Sequence, residues 1–165
     1  MPILDKHMLE FVSRSPEQTR RIGMRLGSLL QAGDVICLQG NLGAGKTTFT
    51  QGLAQSWGSL DSVSSPTFIL VNQYRRADGE KIFHLDTYRL DSTGEAEQLD
   101  LDSYLDEGAL IIEWPERLGN LIPQENLWIN LEHVAEEHRQ MSFHARGKRY
   151  DEMLDNIRNT MFGGK

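Results

Sequence analysis

The stretch GNLGAGKTT, residues 40–48, constrains the fold of this 165-residue chain more than any other. Gly40, Gly43 and Gly45 let the backbone curl through conformations that residues with side chains avoid. The segment before it, DVICLQG, is a short apolar run of the kind that forms a buried strand. The segment after it, KTTFTQGLAQSWG, has the pattern of a helix closed by Gly58. Strand, glycine loop and helix thus frame Gly40-x-x-x-x-Gly45-Lys46-Thr47, the Walker A pattern. In such a loop several N–H groups converge on one point, and the positive N-terminal end of the helix adds to their field. The expected ligand is a nucleotide phosphate chain, lined by Asn41, Leu42, Gly43, Ala44, Gly45, Lys46, Thr47 and Thr48. Lys46 is placed to reach the β- and γ-phosphates, and the Thr47 hydroxyl to ligate Mg²⁺.

The rest of the chain supplies an α/β frame. SPEQTRRIGMRLGSLLQAG predicts a first helix, with Ser15 as its cap, Pro16 in its first turn and Gln18 completing a capping box. Ile22, Leu26, Leu29 and Leu30 share one face of that helix, and Gly33 is its expected stop. FILVNQYR and KIFHLD predict two strands of a hairpin turned at Asp78-Gly79. EAEQLDLDSYL predicts a third helix and ALIIEW another strand. NLWINLEHV and RQMSFHA predict a late hairpin, and YDEMLDNIRNTM a C-terminal helix whose end, about residues 161–165, is expected to fray. The expected architecture is a single P-loop NTPase-like domain over residues 1–165: three layers around a mixed, partly antiparallel sheet.

Composition narrows the function classes. An apolar content of 39% and a charged content of 25% suit a soluble globular domain. The single cysteine, Cys37, excludes an internal disulfide and fits a reducing, cytoplasmic setting; within VICL it reads as a small core residue. The N-terminal MPILDKHMLEF carries no signal-peptide pattern, and no run of about 18 apolar residues suggests a membrane span. A net charge of −7 disfavours a broad nucleic-acid-binding face and favours small molecules or proteins as partners, with a local basic patch left open.

A phosphate loop that hydrolyses nucleotide also needs an acid to steady the metal and a group to place the attacking water. Two apolar runs end in acids, IFHLD at Asp86 and ALIIEW at Glu113. Either acid fits either task on pattern alone, and each also reads as a solvated strand end. The loop Ser64-Ser65-Pro66-Thr67-Phe68 reads as a capped turn held by Pro66, or as a segment that senses the γ-phosphate. Asp91-Ser92-Thr93-Gly94 fits the DxxG of GTPases only superficially, and with no NKxD guanine reader in the chain the expected base is adenine.

GNLGAGKTT, SSPTF, HLDTYRL and IIEWPE, in this order, closely resemble the TsaE (YjeE) family of small bacterial P-loop ATPases, from about Ser15 to about Pro123. The resemblance implies an ATP- and Mg²⁺-dependent subunit needed to form N6-threonylcarbamoyladenosine at position 37 of tRNAs that read ANN codons. Its implied partner is the TsaB–TsaD heterodimer, in which TsaD performs the transfer and ATP hydrolysis resets the complex; tRNA is met only through that complex. It further implies phosphate contacts by Lys46, Mg²⁺ ligation by Thr47 and Glu113, and a water-positioning role for Asp86. Trp114 is implied close to the nucleotide, although it also reads as a core aromatic. Thr67 is implied as a switch contact, and Tyr88 and Arg89 as facing the site or the partner. Arg139, with His138 competing, and Thr19 on the first helix are the implied contacts at the adenine end.

Two other activities are compatible with the residues alone. A small-molecule or nucleoside kinase would use the same loop but needs an arginine-rich lid, and the arginines here are scattered. A nucleotide-dependent binding module would need no hydrolysis. No arginine adjoins the glycine loop, so slow hydrolysis by the isolated chain is expected.

Overall fold

In the computed structural model, β2 (Val35–Gln39) is the strand around which the chain is organised. The structure describes residues 5–41, 43–63, 71–88 and 99–162. Val35, Ile36, Cys37 and Leu38 are all buried, because both faces of β2 are covered. β2 pairs in parallel with β5 (Ala109–Glu113) and with β6 (Asn126–Ala135). β5 pairs in parallel with β4 (Lys81–Asp86), which forms an antiparallel hairpin with β3 (Val71–Arg75). On the other side β6 turns back into antiparallel β7 (His138–Arg146), which carries antiparallel β1 (Met8–Ser13) at the edge. The seven strands described run β1-β7-β6-β2-β5-β4-β3, the mixed sheet that the sequence suggests.

Helices cover both faces. On one face Ile36 and Leu38 of β2 meet α1 (Pro16–Gly27), α2 (Lys46–Trp57) and α4 (Lys148–Phe162) through Leu26, Phe49, Leu53 and Leu154. On the other face Val35 and Cys37 meet Leu101 of α3 (Leu101–Glu107) and Leu118, which follows a short 3₁₀ turn at Pro115–Arg117. The two-residue period of β2 thus assigns its side chains alternately to two separate cores. Burial pushes the Cys37 thiol up to about 12, in keeping with a core residue. Among the described residues no helix is long and apolar enough to cross a membrane.

Several boundaries differ from the sequence expectation for local reasons. α1 opens as expected, with the Ser15 hydroxyl accepting from the Gln18 N–H (3.1 Å). Gln18 Oε1 accepts from the Arg14 N–H (2.6 Å), one residue before the cap. The helix ends at Gly27, not at Gly33. Leu29 and Leu30 lie beyond it, and Gly33 (φ +91°) forms a later turn whose N–H donates to the Gly108 carbonyl (2.9 Å). Asp100 caps α3 by accepting from the Ser103 N–H (3.2 Å), and this helix starts at Leu101. Residues 95–98 of that expected helix lie outside the described residues, as do 68–70 of the expected strand before β3. β1 is a strand that the sequence reading does not contain.

α1 and α2 touch backbone to backbone. A Cβ at Gly23 would overlap the Phe49 carbonyl oxygen, one at Gly27 the Leu53 carbonyl oxygen, and one at Gly52 the Arg20 carbonyl oxygen. The Ser56 hydroxyl of α2 also donates to the Met24 carbonyl of α1 (2.5 Å). This contact seats the start of α1 beside the glycine loop. An ordinary helical Gly→Ala change stabilises by up to about 1 kcal/mol. Gly27→Ala is expected to have the opposite sign, a loss of about 1–3 kcal/mol from overpacking, read by urea denaturation. A gain in stability would show that the helices are not in backbone contact.

Candidate functional site

Parallel pairing places the C-terminal ends of β2, β4 and β5 along one rim of the sheet, where ligands of open α/β sheets gather. The glycine loop leaves β2 at this rim. Gly43 (φ +82°) and Gly45 (φ +103°) adopt the left-handed conformation that bends the loop. Gly40 sits so close to β6 that a Cβ there would press on the Leu131 carbonyl oxygen. Gly45 caps α2 without any side-chain hydrogen bond, so the positive end of the helix faces the glycine loop with no side chain set over it. Asn41 and Gly43 are exposed, Thr47 and Thr48 half-buried, and Leu42 lies outside the described residues.

Lys46 is 6% exposed, and its Nζ donates to the Gly40 carbonyl (2.6 Å). The same Nζ lies 3.9 Å from Glu113 Oε1 and 4.2 Å from the centre of the Trp114 ring. Burial lowers the Lys46 pKa from its ordinary value; Glu113, then Asp86 and Glu116, pull it back up. The ammonium is held inside the loop by a backbone carbonyl, a carboxylate and an aromatic face.

The two acids meet. Asp86 ends β4, Glu113 ends β5, and they are direct partners in the parallel register, with Glu113 also opposite Leu38 of β2. Asp86 Oδ1 accepts from the Tyr88 N–H (2.9 Å). Burial raises the Asp86 pKa and the Glu113 charge adds to the rise, while the Tyr88 N–H, Lys46 and His84 oppose it. Glu113 is 3% exposed and bonds His84 Nε2 through Oε2 (2.5 Å).

Trp114 turns the chain sharply after β5, in the left-handed region (φ 60°, ψ 48°) that costs a bulky residue about 1–3 kcal/mol. The Thr87 hydroxyl holds this turn at the Glu113 and Trp114 carbonyls (2.9 and 2.6 Å). The indole packs against Tyr88 at a 46° tilt (4.7 Å between centroids), and the Arg117 guanidinium lies over the Tyr88 ring (5.2 Å).

Opposite Trp114, an open cleft of about 840 Å³ runs along the glycine loop to β6 and β7, reaching His133 and Arg139. A narrower cleft joins Thr19, Gly45, Thr48 and Arg139. Thr19 is buried, with its hydroxyl on Ser13 Oγ (2.6 Å) and its methyl toward Gly45. Arg139 Nη1 donates to the Glu136 and His138 carbonyls (2.9 and 3.1 Å), whereas its buried Nε has no hydrogen-bond partner. His138 is exposed. The structure thus gathers Lys46, Asp86, Glu113 and Trp114 at one end of the loop and Thr19 and Arg139 at the other. Thr67, Arg89 and Asp91-Ser92-Thr93-Gly94 lie outside the described residues.

Sequence reasoning missed His84 and Tyr74. The available signal was the alternation Ile82, His84, Asp86 along β4, which puts the imidazole on the face of the acid. Among the described residues no group of three or more His, Cys, Asp or Glu is arranged to hold a metal by itself. The donors at the rim, a threonine hydroxyl and two carboxylates, are hard oxygens suited to Mg²⁺, which is commonly held by one or two protein oxygens together with substrate phosphates.

The family model of TsaE, described as threonylcarbamoyl adenosine biosynthesis protein, matches residues 13–141. The chain is 36% identical over 151 residues to the tRNA threonylcarbamoyladenosine biosynthesis protein TsaE of Bacillus subtilis, covering 90% of this chain and 93% of that one. It is 40% identical over 110 residues to the protein of the same name from Aquifex aeolicus, covering 66% of this chain and 77% of that one. Its fold is similar to the crystal structure of Bacillus subtilis YdiB, with a TM-score of 0.77 and 31% identity over 93% of this chain and 96% of that one.

Asp86 has a pKa raised above the ordinary 3.8, so its contribution to stability is greatest below that value and falls as pH rises through the raised one. Asp86→Asn is therefore expected to melt higher than the wild type at pH 7, with the difference shrinking as pH falls through the carboxylate range. The gain should be tenths of a kcal/mol, since the side chain is half exposed and solvent screens it. Calorimetric melts across pH check this; a lower melting point for Asp86→Asn at pH 7 would contradict it.

Proposed function

This chain belongs to the TsaE family of threonylcarbamoyl adenosine biosynthesis proteins, and from that premise we propose that it is an ATP-binding and ATP-hydrolysing subunit acting with a TsaB–TsaD heterodimer in the cytoplasm. Its reaction is the attack of water on the γ-phosphorus of ATP, giving ADP and inorganic phosphate. tRNA is met only through the assembled complex. The observation that carries this reading is the convergence of three things on one rim: the glycine loop that opens α2, the buried Lys46 ammonium and the paired acids Asp86 and Glu113.

The residues divide the work by their chemistry. Backbone N–H groups of residues 43–48 and the Lys46 ammonium hold the phosphate oxygens, and Lys46 exchanges the Gly40 carbonyl for them. The Thr47 hydroxyl and the Glu113 carboxylate would hold Mg²⁺, which would neutralise charge on the phosphates. Asp86, desolvated and raised in proton affinity, orients the attacking water and takes up its proton. Trp114 walls the phosphate end. At the other end the Thr19 methyl and the stem of Arg139 border the space for adenine, with the buried Arg139 Nε as an open donor.

Among the described residues the guanidinium groups near the site are already engaged: Arg117 lies over Tyr88, and Arg139 Nη1 bonds two carbonyls. Hydrolysis by the chain alone is accordingly slow, and a partner that orders an arginine toward the γ-phosphate accelerates it. Steady-state phosphate release should rise at least about tenfold on adding TsaB–TsaD, a small part of what a transition-state arginine can contribute. Equal rates with and without the heterodimer would reject the partner-completed site. Lys46→Ala should lose nucleotide binding in calorimetry. Asp86→Ala should keep binding while phosphate release falls by at least about 100-fold; undiminished release from Asp86→Ala would remove that residue from the chemistry.

A further inference from the structure

Behind Glu113 lies a row of buried polar side chains that the phosphate loop does not call for. His84 is 0% exposed, and Tyr74 on β3 is 2% exposed. The Tyr74 hydroxyl lies 2.7 Å from His84 Nδ1, and His84 Nε2 lies 2.5 Å from Glu113 Oε2. The row crosses three neighbouring strands, β3, β4 and β5, on the sheet face that carries α2. Ile82, next to it on the same face, shows what the core otherwise accepts there. A phenol, an imidazole and a carboxylate at such depth are costly unless each is satisfied, so their joint presence calls for a reason beyond packing.

The chemistry of the row fixes its polarity. A carboxylate only accepts, so the proton between His84 and Glu113 resides on Nε2. In the neutral imidazole the lone pair of Nδ1 then accepts from the Tyr74 O–H. Glu113 Oε2 is thereby committed to the protein interior, and Oε1 is left facing Lys46 at 3.9 Å. A free glutamate turns about three side-chain bonds and presents either oxygen, or both; this one is restricted to a single oxygen and a single direction.

We propose that Tyr74 and His84 are positioning residues that hold Glu113 so that Oε1 alone is offered to the magnesium ion of the bound nucleotide. This rests on the Mg²⁺–ATP reading of the site given above. Mg²⁺ demands a strict octahedron of short oxygen contacts and tolerates a wandering or two-oxygen carboxylate poorly. Hydrogen-bond partners of a metal ligand commonly contribute 10–100-fold to metal affinity, and this row supplies them from two neighbouring strands.

The test separates metal affinity from nucleotide affinity. Mn²⁺, which electron paramagnetic resonance detects when free, is titrated into the full-length protein–ADP complex, and ADP binding is measured separately in EDTA. His84→Leu should weaken Mn²⁺ binding by about 10–100-fold and leave ADP binding in EDTA within about twofold of the wild type. His84→Gln, whose amide nitrogen can still donate to Oε2, should recover most of the loss. Tyr74→Phe, which deletes one oxygen and preserves the ring, should weaken Mn²⁺ binding by severalfold. Circular dichroism reports whether each variant folds. The proposal is overturned if folded His84→Leu binds Mn²⁺ like the wild type, or, should that variant not fold, if Tyr74→Phe does. A lower melting temperature with Mn²⁺ affinity unchanged marks a purely structural row and also overturns it. If wild-type ADP binding gains nothing from Mn²⁺, the magnesium–nucleotide reading itself fails, and this inference with it.

Discussion

The parallel hydrogen-bond ladder that joins β2 to β5 on one side and β6 on the other sets the geometry of the functional end. Parallel strands finish on the same rim, so whatever follows β2 must emerge beside whatever ends β4 and β5. The register then matters residue by residue. Leu38 stands opposite Glu113 and Glu113 opposite Asp86, so the loop and both acids are brought together by backbone pairing before any side chain interacts. A slip of one residue in β5 would send Glu113 to the opposite face, among Cys37 and Leu85.

That rim concentrates charge where water is scarce. Lys46, Glu113 and His84 are buried and Asp86 is half-buried, and burial disfavours the charged forms of Lys46 and Asp86 alike. The arrangement is tolerable because each group has partners of suitable polarity: a carbonyl and an aromatic face for the ammonium, an imidazole for one carboxylate, a backbone N–H for the other. The strained turn at Trp114, fastened by Thr87, belongs to the same arrangement, since it carries the indole over Lys46. The acid pair, the buried ammonium and the strained Trp114 share this rim, while a second buried polar group, Asp34 with Arg149, lies at the other end of β2.

Much of this was legible in the sequence because its signals are local. The glycine loop, the Gly58 stop, the Asp78-Gly79 hairpin and the apolar runs of β2, β5, β6 and β7 each announce themselves within about ten residues. What was hidden depends on distant partners. β1 is an edge strand whose sole ladder is with β7, far along the chain, and its alternation of Leu9, Phe11 and Ser13 ends in a polar residue that reads as loop. α1 stops early because Ser28 and the turn before Asp34 redirect the chain into β2, whereas Gly33 has the look of a stop only in isolation. The two acids were visible as strand ends, yet their pairing, and the Tyr74–His84 row behind Glu113, exist only across strands.

The Trp114 ring, resting between the Lys46 ammonium and Tyr88, has a spectroscopic consequence. A positive charge at 4.2 Å shifts and quenches the emission of an indole. Trp57 sits under Arg76 at the far end of α2, whereas Trp128 sits under Arg146 and donates to Gln39 Oε1 (2.9 Å), directly before the glycine loop. Any anion that draws the Lys46 side chain off the indole changes the glow of Trp114 and leaves Trp57, at the opposite end of α2, as an internal baseline. The molecule carries its own dye at the one place where a label would otherwise have to be attached.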